Sequence, residues 1–93
     1  MDLLELWKVI MYRIKSEVNP NIFEVWFKNT ELKEKNDDKL IVYAPNEFVV
    51  EWLNKHYRTL LENVASEIQG KKTMVSFTSV NNKETSALIK SLL

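Results

Sequence analysis

The fold is decided by residues 43–57, which read YAPNEFVVEWLNKHY. The β-forming residues that lead up to Tyr43 predict a strand, and Pro45 ends it because proline has no backbone N–H to donate to a sheet. Asn46 is a favourable N-cap, and the carboxylate of Glu47 lies near the positive end of the helix dipole that follows. The segment therefore predicts a strand that ends before Pro45 and a helix that begins at about Glu47.

That helix, the third of the chain, is predicted to be the longest and to run from Glu47 to Gln69. Apolar residues recur along it at steps of three and four, which is the spacing of a helix with one buried side. Gly70 is the only glycine in the sequence, and it follows where a helix C-cap requires a left-handed residue. Beyond it, alternating apolar and polar residues over Met74–Val80 predict a half-buried strand.

Two helices are predicted before the quoted stretch. The residues from Asp2 to Val18 have the spacing of an amphipathic helix whose apolar side is about 160° wide, more than the ~100° of one buried stripe. Either two layers clamp this helix, or part of its apolar side binds a partner. Asn19 and Pro20 then suit the N-cap and the first position of a short second helix, which ends near Asn29.

A β-hairpin is predicted between the second and third helices. Thr30–Lys35 alternates weakly, residues 36–38 form an Asn-Asp-Asp turn, and Lys39–Ala44 is rich in β-forming residues. The order of elements is therefore α-α-β-β-α-β. We predict an α+β fold in which three helices pack on a three-stranded sheet.

The composition is that of one small domain with a substantial core. The chain has 93 residues, of which 45% are hydrophobic, and it contains no cysteine. Disulfides, thiolate metal sites and cysteine nucleophiles are thereby excluded, and a reducing compartment is favoured. No apolar run approaches the ~20 residues of a membrane span. Thirteen acidic residues balance thirteen basic ones, which argues against a dedicated nucleic-acid-binding domain.

The residue types that carry catalysis or bind cofactors are scarce in this sequence. His56 is the only histidine, and no motif supplies the nucleophile or orienting acid that a catalytic histidine needs. A histidine packed in the core or at its rim is the favoured interpretation. One glycine cannot form a phosphate-binding loop, and no metal-ligand spacing is present. We therefore expect a binding domain with no enzymatic activity, no cofactor and no metal.

Surplus aromatic residues favour a protein-binding function, because Trp and Tyr bury much surface at little entropic cost. Phe48 lies in the first turn of the predicted third helix, at the margin of its apolar side. It fits two interpretations equally well, a staple at the corner of the core and a half-exposed knob that contacts a partner. Trp26 and Trp52 are predicted to lie mainly in the core.

The same residues resemble the N-terminal domain of DnaA, the bacterial replication initiator. The resemblance rests on the string Y-A-P-N-x-F-V-x-x-W-L, which begins at Tyr43, and on Tyr57 four residues after it. Leu6-Trp7 in the first helix and Phe23–Trp26 in the second match the same domain in order and spacing. The string is far more specific than a pattern of glycines.

The resemblance covers about residues 3–80. We accordingly assign residues 1–80 to this domain and residues 81–93 to the start of a flexible linker or a truncated tail. The resemblance implies a fold similar to KH domains. Two positions depart from the family, since Ile22 stands where several members carry an acidic residue and Asn29-Thr30 stands where many have Pro-Leu.

The resemblance further implies a cytoplasmic protein–protein interaction module of a replication initiator. Its expected partners are a second copy of itself, bound weakly through the first helix, the replicative helicase, and regulators of initiation. At most weak binding to single-stranded DNA is expected, and no binding to membranes. Self-association is expected to involve Trp7, with Leu3 and Leu6 beside it. The residues expected to contact helicase or regulators are Ile22, Glu24, Val25, Trp26, Asn46, Glu47 and Phe48.

On Trp7, the helical periodicity and the resemblance favour different roles. The periodicity places this side chain near the middle of the apolar side, where a core residue would lie, whereas the resemblance favours an interface. We predict a mainly interfacial Trp7. Two other functions stay open for the whole chain, a stand-alone adaptor of the same fold and a weak binder of single-stranded nucleic acid.

Overall fold

The computed structural model describes residues 2–79, which form four helices and a three-stranded sheet. Helix α1 spans Leu3–Glu17, and α2 is a short turn, Pro20–Ile22, continued by a π-helical segment, Phe23–Phe27. The remaining elements are β1 (Glu31–Lys35), β2 (Lys39–Ala44), α3 (Glu47–His56), α4 (Arg58–Gln69) and β3 (Met74–Ser79). The fold is α+β, as predicted, with the order α-α-β-β-α-α-β.

Helix α1 begins at a capped end and buries one side. The carboxylate of Asp2 accepts a hydrogen bond from the N–H of Glu5 at 2.8 Å, which satisfies one of the free donors of the first turn. Leu6, Ile10 and Ile14 are buried in the core at steps of four residues. This spacing is the periodicity that the sequence predicts for the first helix.

Arg13 connects the exposed side of α1 to α4. Its guanidinium donates a hydrogen bond to the carboxylate of Glu67 at 2.8 Å and lies 3.7 Å from that of Glu17. The hydrogen bond to Glu67 raises the pKa of Arg13 above its ordinary value. The ion pair is exposed to solvent, so its contribution to stability is small, and it mainly fixes the side-chain geometry.

Helix α2 starts as the sequence predicts. The side chain of Asn19 accepts a hydrogen bond from the N–H of Asn21 at 2.7 Å, and Pro20 takes the first helical position. The helix then widens into the π-helical segment, a rare geometry that is frequent at functional sites. Phe27 at its end is fully buried and anchors the helix on the core.

The sheet has the order β1-β2-β3, with β2 in the centre. Strands β1 and β2 form the predicted antiparallel hairpin, whereas β3 pairs with β2 in parallel from Lys39↔Met74 to Ala44↔Ser79. A register shift between Leu32 and Glu34 places a β-bulge in β1.

The helices cover one face of the sheet, so the domain has two layers. Helices α1, α3 and α4 contact the strands directly, and α2 packs on α1. Alternate strand residues point into the core, in agreement with the two-residue period of a strand. The buried strand residues on this face are Leu32, Leu40, Val42, Ala44, Val75 and Phe77.

The prediction of one long third helix is wrong, because the chain turns at Tyr57. This residue has φ −128° and ψ −3°, outside the helical region, and it divides α3 from α4. An unbroken helix from Glu47 to Gln69 would be about 34 Å long, whereas a strand of six residues spans only about 20 Å. The break allows both halves to pack on the same short sheet. The ring of Tyr57 packs edge-on against Phe27, with centroids 5.3 Å apart.

Gly70 ends α4 as the sequence predicts. Its φ is +69°, in the left-handed region, and its N–H donates to the carbonyl of Ser66 at 2.9 Å. Ser66 also accepts a hydrogen bond from the N–H of Thr73 through its hydroxyl, at 2.8 Å, so the connection to β3 is held against the end of α4. The predicted third strand is confirmed from Met74 to Ser79.

The predicted domain boundary at residue 80 lies just outside the described residues. Residues 81–93, the predicted linker or tail, lie outside them, as does Val80 at the end of the predicted strand. Within residues 2–79, no helix is both long enough and apolar enough to cross a membrane.

Candidate functional site

Four rings lie together on the surface between α2 and α3, and we call this set, Trp26, Phe48, Trp52 and His56, the aromatic cluster. Trp26 and Trp52 stack almost in parallel, with ring centroids 4.6 Å apart and 10° between their planes. Phe48 lies 5.8 Å from Trp26 and 6.4 Å from Trp52. The ring of His56 lies 4.2 Å from that of Trp52.

Helix α3 supplies three of the four rings. Phe48, Trp52 and His56 are four residues apart, so they form one stripe along the helix. The side-chain oxygen of Asn46 accepts a hydrogen bond from the N–H of Val49 at 3.0 Å and fixes where this helix begins. The cap therefore fixes the first turn of the helix that carries the stripe.

Helix α2 supplies the fourth ring and is held by its neighbour in sequence. Phe27 is buried in the core, and the adjacent Trp26 lies half-buried against Trp52. The π-helical backbone of Phe23–Phe27 carries both residues. The widened turn thus holds one aromatic side chain in the core and the next at the surface.

The outer part of the aromatic cluster is open to solvent. Phe48 is 65% exposed, and Val25 on α2 is 62% exposed. Such large apolar side chains at the surface are typical of protein-binding sites when they lie together. A cleft of about 190 Å³ opens on α3, and it is lined by Phe48, Glu51, Trp52, Lys55 and His56.

Trp52 carries a buried donor without a partner. Its indole Nε1 is shielded from solvent, and no acceptor within residues 2–79 receives its hydrogen bond. A buried donor that is left unpaired costs about 1–3 kcal/mol. The aromatic cluster is therefore arranged less favourably than an ordinary core.

Two of the predicted partner-binding residues, Trp26 and Phe48, lie in the aromatic cluster, and Val25, which precedes Trp26 in the chain, is exposed on the same helix. The exposed carboxylate of Glu24 forms an ion pair with Lys28, 3.1 Å away. Ile22 is half-buried against the core.

The other two predicted contact residues lie at the start of α3. Asn46 and Glu47 are both exposed, so both are accessible to a partner. Asn46 also serves as the N-cap described above, a structural role that the sequence likewise indicated. The predicted contact of all seven residues with a partner is left as a prediction.

The residues predicted for self-association are placed differently. Leu6 is fully buried, and Trp7 is only 9% exposed, with its indole N–H directed at the carbonyl of Thr30, 3.4 Å away. Leu3 is partly buried against the same core. The structure thus places Trp7 in the core, where it fills the space between α1 and the start of β1, and its role in self-association stays a prediction.

The exposed apolar residues of α1 lie on its outer side. Leu4 is 65% exposed and Tyr12 is 77% exposed, with Lys8 between them at steps of four residues. The wide apolar side predicted from the sequence is thus divided between the core and solvent. The inner part includes Trp7, and the outer part is left uncovered within the described residues.

The sequence does not predict that Trp52 and His56 belong to a cluster of rings at the surface. The sequence predicts both Trp26 and Trp52 mainly in the core, whereas both are half-buried, and Trp52 lies beneath Phe48 and His56. For His56 the sequence predicts a position packed in the core or at its rim; the residue is exposed, and its ring lies against Trp52. The signal was the spacing of four residues from Phe48 to Trp52 to His56, which places the rings in one stripe.

The geometry defines a class of protein, a small α+β binding domain whose accessible chemistry is an aromatic surface. Within residues 2–79 there is no group of acidic, His or Cys side chains that could hold a metal ion. The rings, the exposed valine and the cleft are suited to contacts with another macromolecule.

The family follows from comparison with known sequences. The family model of the DnaA N-terminal domain matches residues 4–67, which is more than half of the chain, and the chain belongs to this family. Such a domain is a protein-interaction module of the replication initiator. The resemblance inferred from the string that begins at Tyr43 is thereby confirmed.

Proposed function

We propose that this chain is the docking module through which a bacterial replication initiator binds the replicative helicase and regulators of initiation in the cytoplasm. The aromatic cluster, together with Val25, is the contact surface. The observation that carries this proposal is the 65% exposure of Phe48 on top of two stacked tryptophans. A phenylalanine in that position gains far more from a partner than from its own domain.

The physical case rests on what a partner would change at this surface. Buried Trp and aromatic anchors supply most of the binding energy in protein interfaces. Burial of the Phe48 and Val25 side chains against a partner would stabilise the complex by about 25 cal/mol for each Å² of apolar surface removed from water. A partner that rearranges the rings also offers an acceptor to the unpaired indole N–H of Trp52.

Hydrogen–deuterium exchange of the full chain, alone and with the cognate helicase, tests the proposal. We expect slower exchange at the amides of α3 near Phe48 and of α2 near Trp26, because bound partner excludes solvent there. The amides of α1 serve as the internal control and should keep their rates. Protection confined to α1 or to the sheet would contradict the proposal.

A second function, weak self-association, is favoured by the outer side of α1. Leu4 and Tyr12 expose apolar surface there, and they lie on one stripe of the helix with Lys8 midway between them. We propose that this outer stripe makes the direct contact with a second copy. Trp7 and Leu6 act from beneath by holding the helix in place, and Leu3 lies at its start.

Analytical ultracentrifugation over a range of concentrations separates these roles. Leu4→Ala should abolish dimers while the thermal unfolding temperature changes little, because this side chain is mostly exposed. Phe48→Ala is the matched control and should leave the dimer intact. Dimers that persist in Leu4→Ala, or that vanish in Phe48→Ala, would place the self-association surface elsewhere.

A further inference from the structure

The two edges of the sheet are protected to very different degrees. Strand β1 reads ELKEK, so four of its five residues are charged, and it contains the bulge between Leu32 and Glu34. Charges and bulges on an edge strand prevent another strand from pairing with it. Strand β3 reads MVSFTS, and it has neither a charged residue nor a bulge. Within residues 2–79, β3 therefore carries neither the charged side chains nor the bulge that protect the opposite edge.

The hydrogen bonds of β3 show which of its backbone groups face outward. The N–H of Met74 donates to the carbonyl of Asp38 at 2.7 Å, on the side of β2. The N–H of Val75 donates in the opposite direction, to the carboxylate of Glu62 at 2.8 Å. Because successive residues of a strand alternate, the backbone N–H and C=O of Phe77 also face away from β2.

The side chain of Glu62 occupies the position of a neighbouring strand's acceptor. Its carboxylate satisfies the first outward N–H of β3, at Val75, much as a backbone carbonyl would in a paired strand. Two residues further along, at Phe77, no side chain within residues 2–79 makes the corresponding hydrogen bond. A partner strand could therefore pair with β3 at Phe77, beyond the position that Glu62 occupies.

A cleft of about 400 Å³ lies beside the first half of this edge. Helices α3 and α4 form its other wall, and its lining includes Asn54, Arg58, Glu62, Met74, Val75 and Ser76. Met74 is 50% exposed at the mouth of the cleft. An extended chain placed along β3 would therefore have room for side chains next to Met74.

Arg58 supplies the guanidinium group of this cleft. Arg58 and Glu62 are four residues apart on α4, a spacing that permits an ion pair. The carboxylate of Glu62 is instead directed at Val75, and Arg58 forms no ion pair within residues 2–79. A carboxylate from outside the domain would complete this arrangement, since guanidinium groups bind carboxylates through paired hydrogen bonds.

We propose that the open edge of β3 is a second docking site, which takes an extended acidic segment of another protein as an added strand. The segment pairs with the outward backbone groups of Phe77 and places an Asp or Glu side chain on Arg58, with an apolar side chain against Met74. This mode of recognition draws affinity from main-chain hydrogen bonds and specificity from side-chain contacts. It goes beyond the function proposed above, which uses the other side of α3.

The charges of the cleft favour a polypeptide over a nucleic acid. Glu62 and Asp38 line the same cleft as Arg58 and Lys39, so acidic and basic groups are balanced there. Phosphate backbones require an excess of basic groups, whereas a single carboxylate on an extended peptide needs only one. Single-stranded DNA is therefore the competing outcome of the test below.

Selection from a displayed library of random linear peptides tests the proposal with the full 93-residue chain. Peptides are enriched on the wild-type protein and screened against Ser76→Lys, which adds to β3 the kind of charge that guards β1. We expect the wild-type-specific peptides to alternate β-forming residues and to carry Asp or Glu. Equal enrichment on Ser76→Lys, or wild-type-specific peptides without acidic residues, would overturn the proposal.

The best peptide is then synthesised and titrated into isotope-labelled protein. We expect the amide of Phe77 to shift and its hydrogen exchange to slow, and Arg58→Ala to weaken binding about fivefold, the upper range for a partly exposed ion pair. Lys35→Ala, which removes a charge from the opposite edge, should bind like wild type. Shifts confined to Phe48 and Trp52 would contradict the proposal. Displacement of the peptide by oligothymidine at low salt but not at high salt would also contradict the proposal, because it would indicate a site for single-stranded DNA.

Discussion

Replacement of Phe48 by alanine separates binding from folding more cleanly than any other change in this domain. A fully buried phenylalanine costs about 3–5 kcal/mol when it is replaced by alanine. Phe48 is 65% exposed, so only about one third of that cost, roughly 1–1.5 kcal/mol, applies. Alanine also returns about 0.5 kcal/mol through its higher helix propensity. The expected net loss of stability is therefore about 0.5–1 kcal/mol.

That loss corresponds to a decrease of only a few degrees in the unfolding temperature of a domain of this size. The effect on binding should be much larger, because an aromatic anchor at the centre of an interface contributes about 2 kcal/mol or more. The dissociation constant for the cognate helicase should accordingly rise about thirtyfold. Circular dichroism gives the unfolding temperature, and isothermal titration calorimetry gives the affinity.

Tyr12→Ala is the matched control for Phe48→Ala. It removes a ring that is 77% exposed on α1, and helicase affinity should stay unchanged. Two results would exclude this role of Phe48. A stability loss of about 3–5 kcal/mol would mean that Phe48 belongs to the core, and an unchanged dissociation constant would mean that the aromatic cluster does not contact the helicase.

Two further predictions concern stability and are checked by urea unfolding. Trp7→Ala should destabilise the domain by about 3–5 kcal/mol, because this ring is almost fully buried; a loss below about 1 kcal/mol would restore the interfacial interpretation. Asn46→Ala should cost about 1 kcal/mol through loss of the cap bond to the Val49 N–H. Asn46→Asp keeps an acceptor at that position and should remain close to wild type, and equal losses in both variants would argue against a capping role.

Local signals in the sequence were sufficient to predict most of the fold. The cap at Asn19, the strand from Lys39 to Ala44 and the left-handed Gly70 are each set by residues within one turn of the backbone. Such features depend on backbone geometry and hydrogen-bonding groups that the neighbouring residues already specify. They are therefore visible without knowledge of tertiary contacts.

The break at Tyr57 could not be predicted in this way. No glycine or proline marks it, and the apolar periodicity continues across it from Leu53 to Leu61. The turn satisfies a tertiary requirement, since both halves of the helix must pack on strands of only six residues. The contact of Tyr57 with Phe27 joins positions thirty residues apart in the chain.

The aromatic cluster was predicted only in part for a similar reason. Helical spacing places Phe48, Trp52 and His56 in one stripe, but it does not say whether α2 lies over that stripe. The stacking of Trp26 on Trp52 depends on how α2 leaves the core at Phe27. The division of α1 into a buried side with Trp7 and an exposed side with Tyr12 also depends on this packing.

The three tryptophans report most directly whether the helicase binds at the aromatic cluster. Their indole N–H groups give three separate signals in a proton–nitrogen correlation spectrum, assignable by single substitutions to Phe. On titration with the cognate helicase, the signals of Trp26 and Trp52 should shift or lose intensity, because their rings lie under Phe48 at the proposed surface. The signal of Trp7, which is buried on the inner side of α1, should stay in place. A response of the Trp7 signal alone would contradict helicase binding at the aromatic cluster.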